Sequence, residues 1–215
     1  MYIFQVDRFL LQKQIAEKIR YLKGKTLNIG SGQFERYELP TTVTEYVRMD
    51  IAAGENVDVV GRAEKLPFPD TCFDAIISTQ VFEHVENPEQ AATEVGRVLR
   101  KDGYLLITVP QWNELHEEPH DYWRYTRYGL VALFERHDLK LISIDQRGGY
   151  FSTRAQMAMR FYIDVFHLHN HPWGGRIASK IFALWGRLAI WRDRRDHSVA
   201  NRKHTIGWCA VFQKK

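Results

Sequence analysis

Two glycines and one aspartate near the start of the chain have the types and spacing of a nucleotide-binding turn. Gly30 and Gly32 follow a β-favouring run, and Asp50 comes eighteen residues after Gly32. Such glycines let the backbone approach a ligand, and an acid at the end of the next strand can hold a ribose. The third glycine of the dinucleotide fingerprint is missing, because Phe34 and Glu35 stand where it would fall. The pattern alone therefore leaves a ligand site and a structural turn open.

A second group of residues could move protons. His116, His120 and Asp121 follow a predicted strand that ends at Pro110, and His84 follows an earlier strand. An imidazole can act as a general base near neutral pH, and a carboxylate can orient it. We therefore treat the three histidines as candidate bases and Asp121 as their orienting partner. Packing, helix capping and loop hydrogen bonding are the alternative roles.

Other metal or redox patterns are weak. Cys72 and Cys209 have no metal-binding or redox spacing, which indicates reduced thiols. His167, His169 and His171 alternate without a cysteine or a matched acid pair. We interpret this segment as a polar connection between helices, and we predict no resident metal ion.

Strands and helices alternate along the chain, as in a doubly wound α/β sheet. An amphipathic helix ends near Gly24, a helix opened by Asn87 is expected to stop at Asp102 and Gly103, and Thr126 is a predicted N-cap. Ligands bind such sheets beyond the carboxyl ends of the strands, where the candidate residues fall. The predicted strands cover residues 26–29, 45–50, 57–60, 73–78, 104–109, 139–144 and 206–212.

The composition changes after Gly149. We expect one domain over residues 1–215 with a helical insertion at about 150–204. The formal net charge is +4, yet residues 176–203 carry eight Lys or Arg and two Asp. Apolar residues recur there at three- or four-residue spacing, so the basic helix 176–195 suits peripheral contact with an anionic membrane. Packing as a lid or in a homodimer is the alternative, and no nucleic-acid partner is expected.

The N-terminal residues lack the pattern of a signal peptide, and no run of eighteen apolar residues occurs. We therefore predict a cytoplasmic location, extended to the inner membrane face if the basic helix binds lipid.

Three consecutive motifs carry a family resemblance: residues 63–70 (AEKLPFPD), 73–74 (FD) and 80–85 (QVFEHV). With them the chain resembles class I S-adenosylmethionine-dependent methyltransferases of the type 11 group, over about residues 5–150 plus the final strand. The resemblance implies a Rossmann-like seven-stranded sheet whose last strand, at about 206–212, is a reversed edge strand. It also implies S-adenosyl-L-methionine as the cofactor. Residues 115–126 further resemble a bacterial subgroup associated with surface-glycan or lipid-linked pathways.

The resemblance also assigns roles around the cofactor. Gly30 and Gly32 would admit its methionine part, Asp50 would accept hydrogen bonds from both ribose hydroxyls, and the N–H of Ala63 would meet the adenine. Two acids usual in the family are replaced here, by Asn28 and by Arg62. The expected cofactor-binding residues are Asn28, Gly30, Ser31, Gly32, Asp50, Ile51, Arg62, Ala63, Glu64 and Gln80.

These observations predict a methyltransferase that acts on a small-molecule, glycan or lipid-linked acceptor. The motif of many amino-methylating enzymes is absent, since Ser78-Thr79-Gln80-Val81 stands in its place, and this favours O-methylation. Two rivals remain. A non-catalytic cofactor-binding module is suggested by Asn28 and Arg62. A nicotinamide-dependent oxidoreductase is disfavoured by the missing third glycine and the proline-rich loop.

Overall fold

A computed structural model describes residues 2–32 and 38–215. Phe34 and Glu35, which stand in place of the third glycine, lie outside the described residues. The chain divides into two compact units. Residues 1–14, 111–114 and 146–207 form the helical unit, and residues 15–110, 115–145 and 208–215 form the sheet unit. The expectation of a single domain stays a prediction.

The sheet unit is built on seven strands in the described ranges, with the order β3-β2-β1-β4-β5-β7-β6. β1 pairs in parallel with β2 and β4, and β4 pairs in parallel with β5, while the last strand is antiparallel. This confirms the predicted Rossmann-like doubly wound fold. The strands are β1 Gly24–Ile29, β2 Val43–Asp50, β3 Val59–Val60, β4 Phe73–Thr79, β5 Leu99–Pro110, β6 Leu139–Gln146 and β7 Gly207–Lys214.

The expected edge position of the last strand is wrong. β7 lies between β5 and β6, so β6 is the edge strand on that side. The residue pattern gives the reason, because Cys209 to Phe212 are buried in succession, whereas β6 alternates between buried or half-buried and exposed positions along most of its length. Continuous burial is typical of a strand that is covered on both faces.

The helices begin where the sequence places their caps. Asn87 accepts a hydrogen bond from the N–H of Gln90, and Thr126 accepts one from the N–H of Gly129. The expected stop at Asp102 is wrong, because the helix ends at Val98 and strand pairing begins at once. The helices are α1 Val6–Lys18, α2 Pro88–Val98, α3 Arg127–Glu135, α4 Tyr150–Val165, α5 Pro172–Arg195 and α6 Val199–Arg202.

The helical unit has its own apolar core and a buried cation. Arg147 is fully buried, and its guanidinium donates to the Asp7 carboxylate at 2.8 Å. The Asp193 carboxylate accepts the N–H groups of Gly149, Phe151 and Ser152, which anchors the start of α4. α4, α5 and α6 are the predicted insertion before β7. Among the described residues, no helix is long and apolar enough to cross a membrane.

Candidate active site

The turn after β1 has the backbone that close approach to a ligand requires. Gly30 and Gly32 both have positive φ, at 73° and 68°. A Cβ on Gly30 would lie 2.2 Å from Cγ2 of Val81, so the turn packs directly on the segment that follows β4. The N–H groups of Gly30 and Ser31 donate to the carbonyl of Met49 at the end of β2. The chain is therefore held in a sharp turn at the carboxyl ends of β1, β2 and β4.

Asp50 closes this turn from the end of β2. Its Oδ2 accepts the N–H of Gly32 at 2.8 Å, and its Oδ1 accepts the N–H of Ala52 at 3.2 Å. These bonds orient the carboxylate beside the glycine turn. The neighbouring Ile51 is exposed, whereas Ser31 is buried.

Asn28 provides a direct test of whether the turn fits the cofactor. The residue is 6% exposed, and its Oδ1 has no hydrogen-bond partner among the described residues. A buried acceptor without a partner costs about 1–3 kcal/mol, so this oxygen is suited to receive an N–H group from a ligand. The cofactor's ammonium group has such donors, and the site therefore fits it despite the missing acid.

The adenine side of the predicted site is less enclosed. Arg62 has a side chain that is 57% exposed and lies 3.3 Å from the Glu64 carboxylate, while Ala63 is buried. Gln80 begins the next segment with a positive φ of 56°, and its N–H donates to the Thr108 carbonyl. Eight of the ten predicted cofactor positions thus lie after β1, β2, β3 or β4, while Asn28 and Asp50 lie within the carboxyl ends of β1 and β2.

The four predicted catalytic residues lie after β4 and β5, which are neighbouring parallel strands. His84 ends a 3₁₀ turn, Phe82–His84, which precedes the Asn87 cap of α2. Its ring packs edge-on against that of His116, with the ring centroids 4.8 Å apart. Its Nδ1 lies 2.7 Å from the backbone carbonyl of His120. The structure therefore brings the rings of His84 and His116 together, and the His120 backbone carbonyl lies beside them.

A strap formed by residues 120–125 fixes this cluster. The N–H groups of Tyr122 and Trp123 donate to the Glu83 carbonyl, and the Trp123 indole donates to the Val85 carbonyl at 2.9 Å. The Tyr125 hydroxyl donates to the Phe82 carbonyl, and burial raises the pKa of this phenol. Residues 122–125 of the motif at 115–126 are thus hydrogen-bonded to residues 82–85.

Asp121 is the electrostatic centre of the strap. Its side chain is 1% exposed, and Arg124 donates to both carboxylate oxygens at 2.6 and 2.7 Å. These hydrogen bonds lower the pKa of Asp121 to about 2, so the carboxylate is ionised at neutral pH. Its Oδ2 accepts the N–H of His116 and lies 3.3 Å from Nδ1 of the same residue. The His120 ring instead contacts the Tyr122 hydroxyl at 3.2 Å.

Glu83 is a further residue of this cluster that the sequence did not indicate. This glutamate is fully buried, and a carboxylate oxygen lies within 4.8 Å of donor atoms of both His84 and His116. A carboxylate directly before a candidate histidine was the available signal.

Comparison with known proteins identifies the sheet unit's central segment. Residues 27–107 match a family described as a methyltransferase domain, and the range includes the glycine turn, Asp50 and His84. The match covers 81 of the 215 residues. It agrees with the resemblance of the motifs to the type 11 group of class I methyltransferases, whose cofactor is S-adenosyl-L-methionine. The nicotinamide alternative is thereby disfavoured.

Relatives of the methyltransferase domain act on different atoms. A ubiquinone/menaquinone biosynthesis C-methyltransferase of Hahella chejuensis is 40% identical over 60 residues, which cover 27% of this chain and 24% of the relative. A fatty-acid O-methyltransferase of Mycolicibacterium smegmatis is 39% identical over 61 residues, 25% of this chain and 22% of the relative. The matched segments are therefore well under two thirds of either relative.

Solved structures support the fold. A putative sarcosine dimethylglycine methyltransferase from Galdieria sulphuraria has a TM-score of 0.57 and 15% identity, over 97% of this chain and 85% of that one. At this identity the likeness concerns the arrangement of the chain and not the acceptor.

Proposed function

We propose that the protein transfers the methyl group of S-adenosylmethionine directly to an oxygen atom of a small-molecule, glycan or lipid-linked acceptor. The observation that carries this proposal is the contact between Gly30 and Val81. It joins the cofactor turn to the segment that begins the histidine cluster, so cofactor and acceptor groups share one end of the sheet unit. Alignment of two reactants in such a site can contribute about 7–11 kcal/mol.

The cofactor supplies an electrophilic methyl group on a sulfonium. The chain's own residues hold and orient it: the glycine turn admits the methionine part, Asn28 accepts from its ammonium, and Asp50 accepts from the ribose hydroxyls. Ala63 is assigned to the adenine. Asp50 is well supported in this role because its backbone bonds already fix the carboxylate before the ligand arrives.

The histidine cluster is assigned to the acceptor. His116 is the proposed base, because ionised Asp121 lies beside its Nδ1 and favours the tautomer whose Nε2 can accept a proton. During transfer of the methyl group to the acceptor oxygen, His116 would take the hydroxyl proton at Nε2 and pass it to water. His84 and His120 are further polar groups of the proposed acceptor site. A general base such as His116 raises the rate of reaction by about 10²–10⁴-fold.

Calorimetry with S-adenosylhomocysteine tests the cofactor half of the proposal. Saturable binding is expected, and no binding at millimolar ligand would contradict it. Product analysis tests the other half. Isotope-labelled methyl donor is incubated with lipid extracts, free glycans and fatty acids, and tandem mass spectrometry locates the label. A methyl group on nitrogen or carbon would overturn O-methylation and leave the cofactor assignment intact.

A non-catalytic binding module is the second candidate, because Asn28 gives no charge attraction to the cofactor. It predicts saturable binding of the cofactor without turnover over the whole acceptor panel. His116→Ala gives the matched comparison, since the enzyme hypothesis requires a fall in kcat with little change in cofactor affinity.

An exposed apolar stripe on α5 supports a lipid-linked acceptor. Its residues recur at three- or four-residue spacing and are 48–77% exposed, while the opposite face of α5, including Phe182 and Ile190, is buried. Cations flank the stripe, with Arg176 over the Trp173 ring and Arg195 over the Trp191 ring. We assign this surface to an anionic membrane at the inner face of the cytoplasmic membrane. The stripe consists of Trp173, Ile177, Ile181, Leu184, Leu188 and Trp191.

Vesicle co-sedimentation tests the membrane assignment. The protein should bind vesicles that contain phosphatidylglycerol and should bind phosphatidylcholine vesicles much less. Leu184→Ser with Leu188→Ser should weaken binding by about tenfold or more, because a buried leucine contributes about 1.5–3 kcal/mol. Val199→Ser, at an exposed apolar position on α6, is the control. A stable homodimer that dissociates in the double variant, without lipid binding by the parent, would refute the assignment.

A further inference from the structure

Glu83, His84 and His116 form a compact set of potential metal ligands. One donor atom from each residue lies within 4.8 Å of the other two. Tetrahedral ligands bound to an ion at about 2.0–2.2 Å lie about 3.3–3.6 Å from one another, so side-chain rotations must bring these donor atoms closer together around an ion. Within the described ranges this is the group that meets the spacing requirement, and the alternating histidines at 167–171 do not.

Hydrogen-bond acceptors hold both imidazoles in the orientation that metal ligands need. The Nδ1 of His84 faces the His120 carbonyl at 2.7 Å, and the Nδ1 of His116 faces the Asp121 carboxylate at 3.3 Å. Each contact favours a proton on Nδ1 and therefore a lone pair on Nε2. Histidines that bind metals almost always donate their other ring N–H to a carboxylate or a backbone carbonyl. Both kinds of backing partner are present here.

The carboxylates around the cluster are suitable ligands for a cation. Glu83 is fully buried, and buried carboxylates in proteins are paired or coordinate metals. A further carboxylate, on Glu117, lies 3.9 Å from Nε2 of His84 and is exposed. The side chains of His84 and His116 are 17% and 23% exposed, so an ion could reach them from solvent.

We propose that Glu83, His84 and His116 bind one divalent transition-metal ion, with Zn²⁺ as the probe. Two histidines and one glutamate are the donor set of catalytic zinc sites that keep a fourth position open. The ion would bind at the acceptor site of the proposed function, and in that respect the proposal rests on it. Binding of the ion does not itself depend on methyl transfer. The ion and the acceptor's proton use the same nitrogen of His116 and are therefore alternatives at that atom.

The test uses the full chain, freed of metal by dialysis against a chelator and without an affinity tag. Titration with Zn²⁺ should give one ion per chain, and Co²⁺ should give a visible absorption band of a low-coordinate nitrogen and oxygen site. His84→Ala and His116→Ala should abolish both signals. Asp121→Asn, which weakens the backing partner of His116 and its ion pair with Arg124, should weaken Zn²⁺ binding by about 10–100-fold in a protein whose circular dichroism matches that of the parent.

His169→Ala in the 167–171 segment is the matched control and should bind like the parent. Because Glu83 is buried, Glu83→Gln is used only if its circular dichroism matches that of the parent, and the two histidine variants carry the test otherwise. Absence of Zn²⁺ binding by the parent, or binding that survives both histidine variants, would overturn the proposal. Neither cofactor nor acceptor is needed, so a negative result leaves the methyltransferase proposal to be judged by its own experiments.

Discussion

Gly30→Ala should destabilise the protein through two separable effects. The residue has a φ of 73°, and an alanine in left-handed backbone costs about 1–2 kcal/mol. Its Cβ would also lie 2.2 Å from Cγ2 of Val81, and such overpacking costs about 1–3 kcal/mol. The expected loss in the free energy of unfolding is therefore about 2–5 kcal/mol. Urea unfolding followed by circular dichroism measures it.

A double-mutant cycle with Val81→Ala separates the two effects. Removal of the valine methyl groups relieves the clash, so the cycle should show a coupling energy of about 1–3 kcal/mol, while the backbone cost remains. Gly129→Ala is the control, because its new Cβ would meet its nearest neighbour at 3.4 Å in the first turn of α3. It should be neutral or stabilising by up to about 1 kcal/mol. Zero coupling at Gly30 and Val81 would refute the packed turn.

Three further predictions concern charged or polar groups. Asp50→Asn should weaken S-adenosylhomocysteine binding by about 10–100-fold in calorimetry, because a hydrogen bond to a charged group contributes about 1.5–3 kcal/mol. Glu55→Gln is the control and should have no effect, because Glu55 is exposed. Asn28→Asp should tighten that binding, and it should lower the free energy of unfolding of the ligand-free protein because a charge replaces a buried amide; weaker binding would contradict the ammonium contact. Hydrogen bonds from Arg97 lower the pKa of Glu94, so stability from this pair is complete above about pH 4.3 and is lost as the pH falls through the lower folded value. Glu94→Gln should flatten the acid limb of the unfolding free energy.

The sequence predicted the sheet class and the helix caps because those signals are local. The cap at Asn87 needs one side chain and one nearby N–H, and the buried run in β4 needs only its own residues. The end of α2 was mispredicted for a non-local reason. Leu99 pairs with Phe73 across the sheet, and this pairing ends the helix before the turn signal at Asp102 is reached.

The sequence indicated individual residues of the site but not which of them lie together in space. The positions after β1 and β2 follow from the family resemblance and from the rule for strand ends. The cluster of His84 with His116 depends on the strap, whose backbone bonds to Glu83 and Val85 join residues more than thirty positions apart. No spacing rule within one element reports such a contact, which is why Glu83 was overlooked.

The two ends of the helical segment are joined to each other by backbone hydrogen bonds at Arg147. The N–H of Arg147 donates to the Gly207 carbonyl, and the N–H of Ile206 donates to the Arg147 carbonyl, so the segment between them leaves and returns at one point. It therefore has the connectivity of an enlarged hairpin loop between β6 and β7. Because the cost of closing a loop grows only slowly with its length, such a segment can be exchanged or resized without altering the pairing of the two strands.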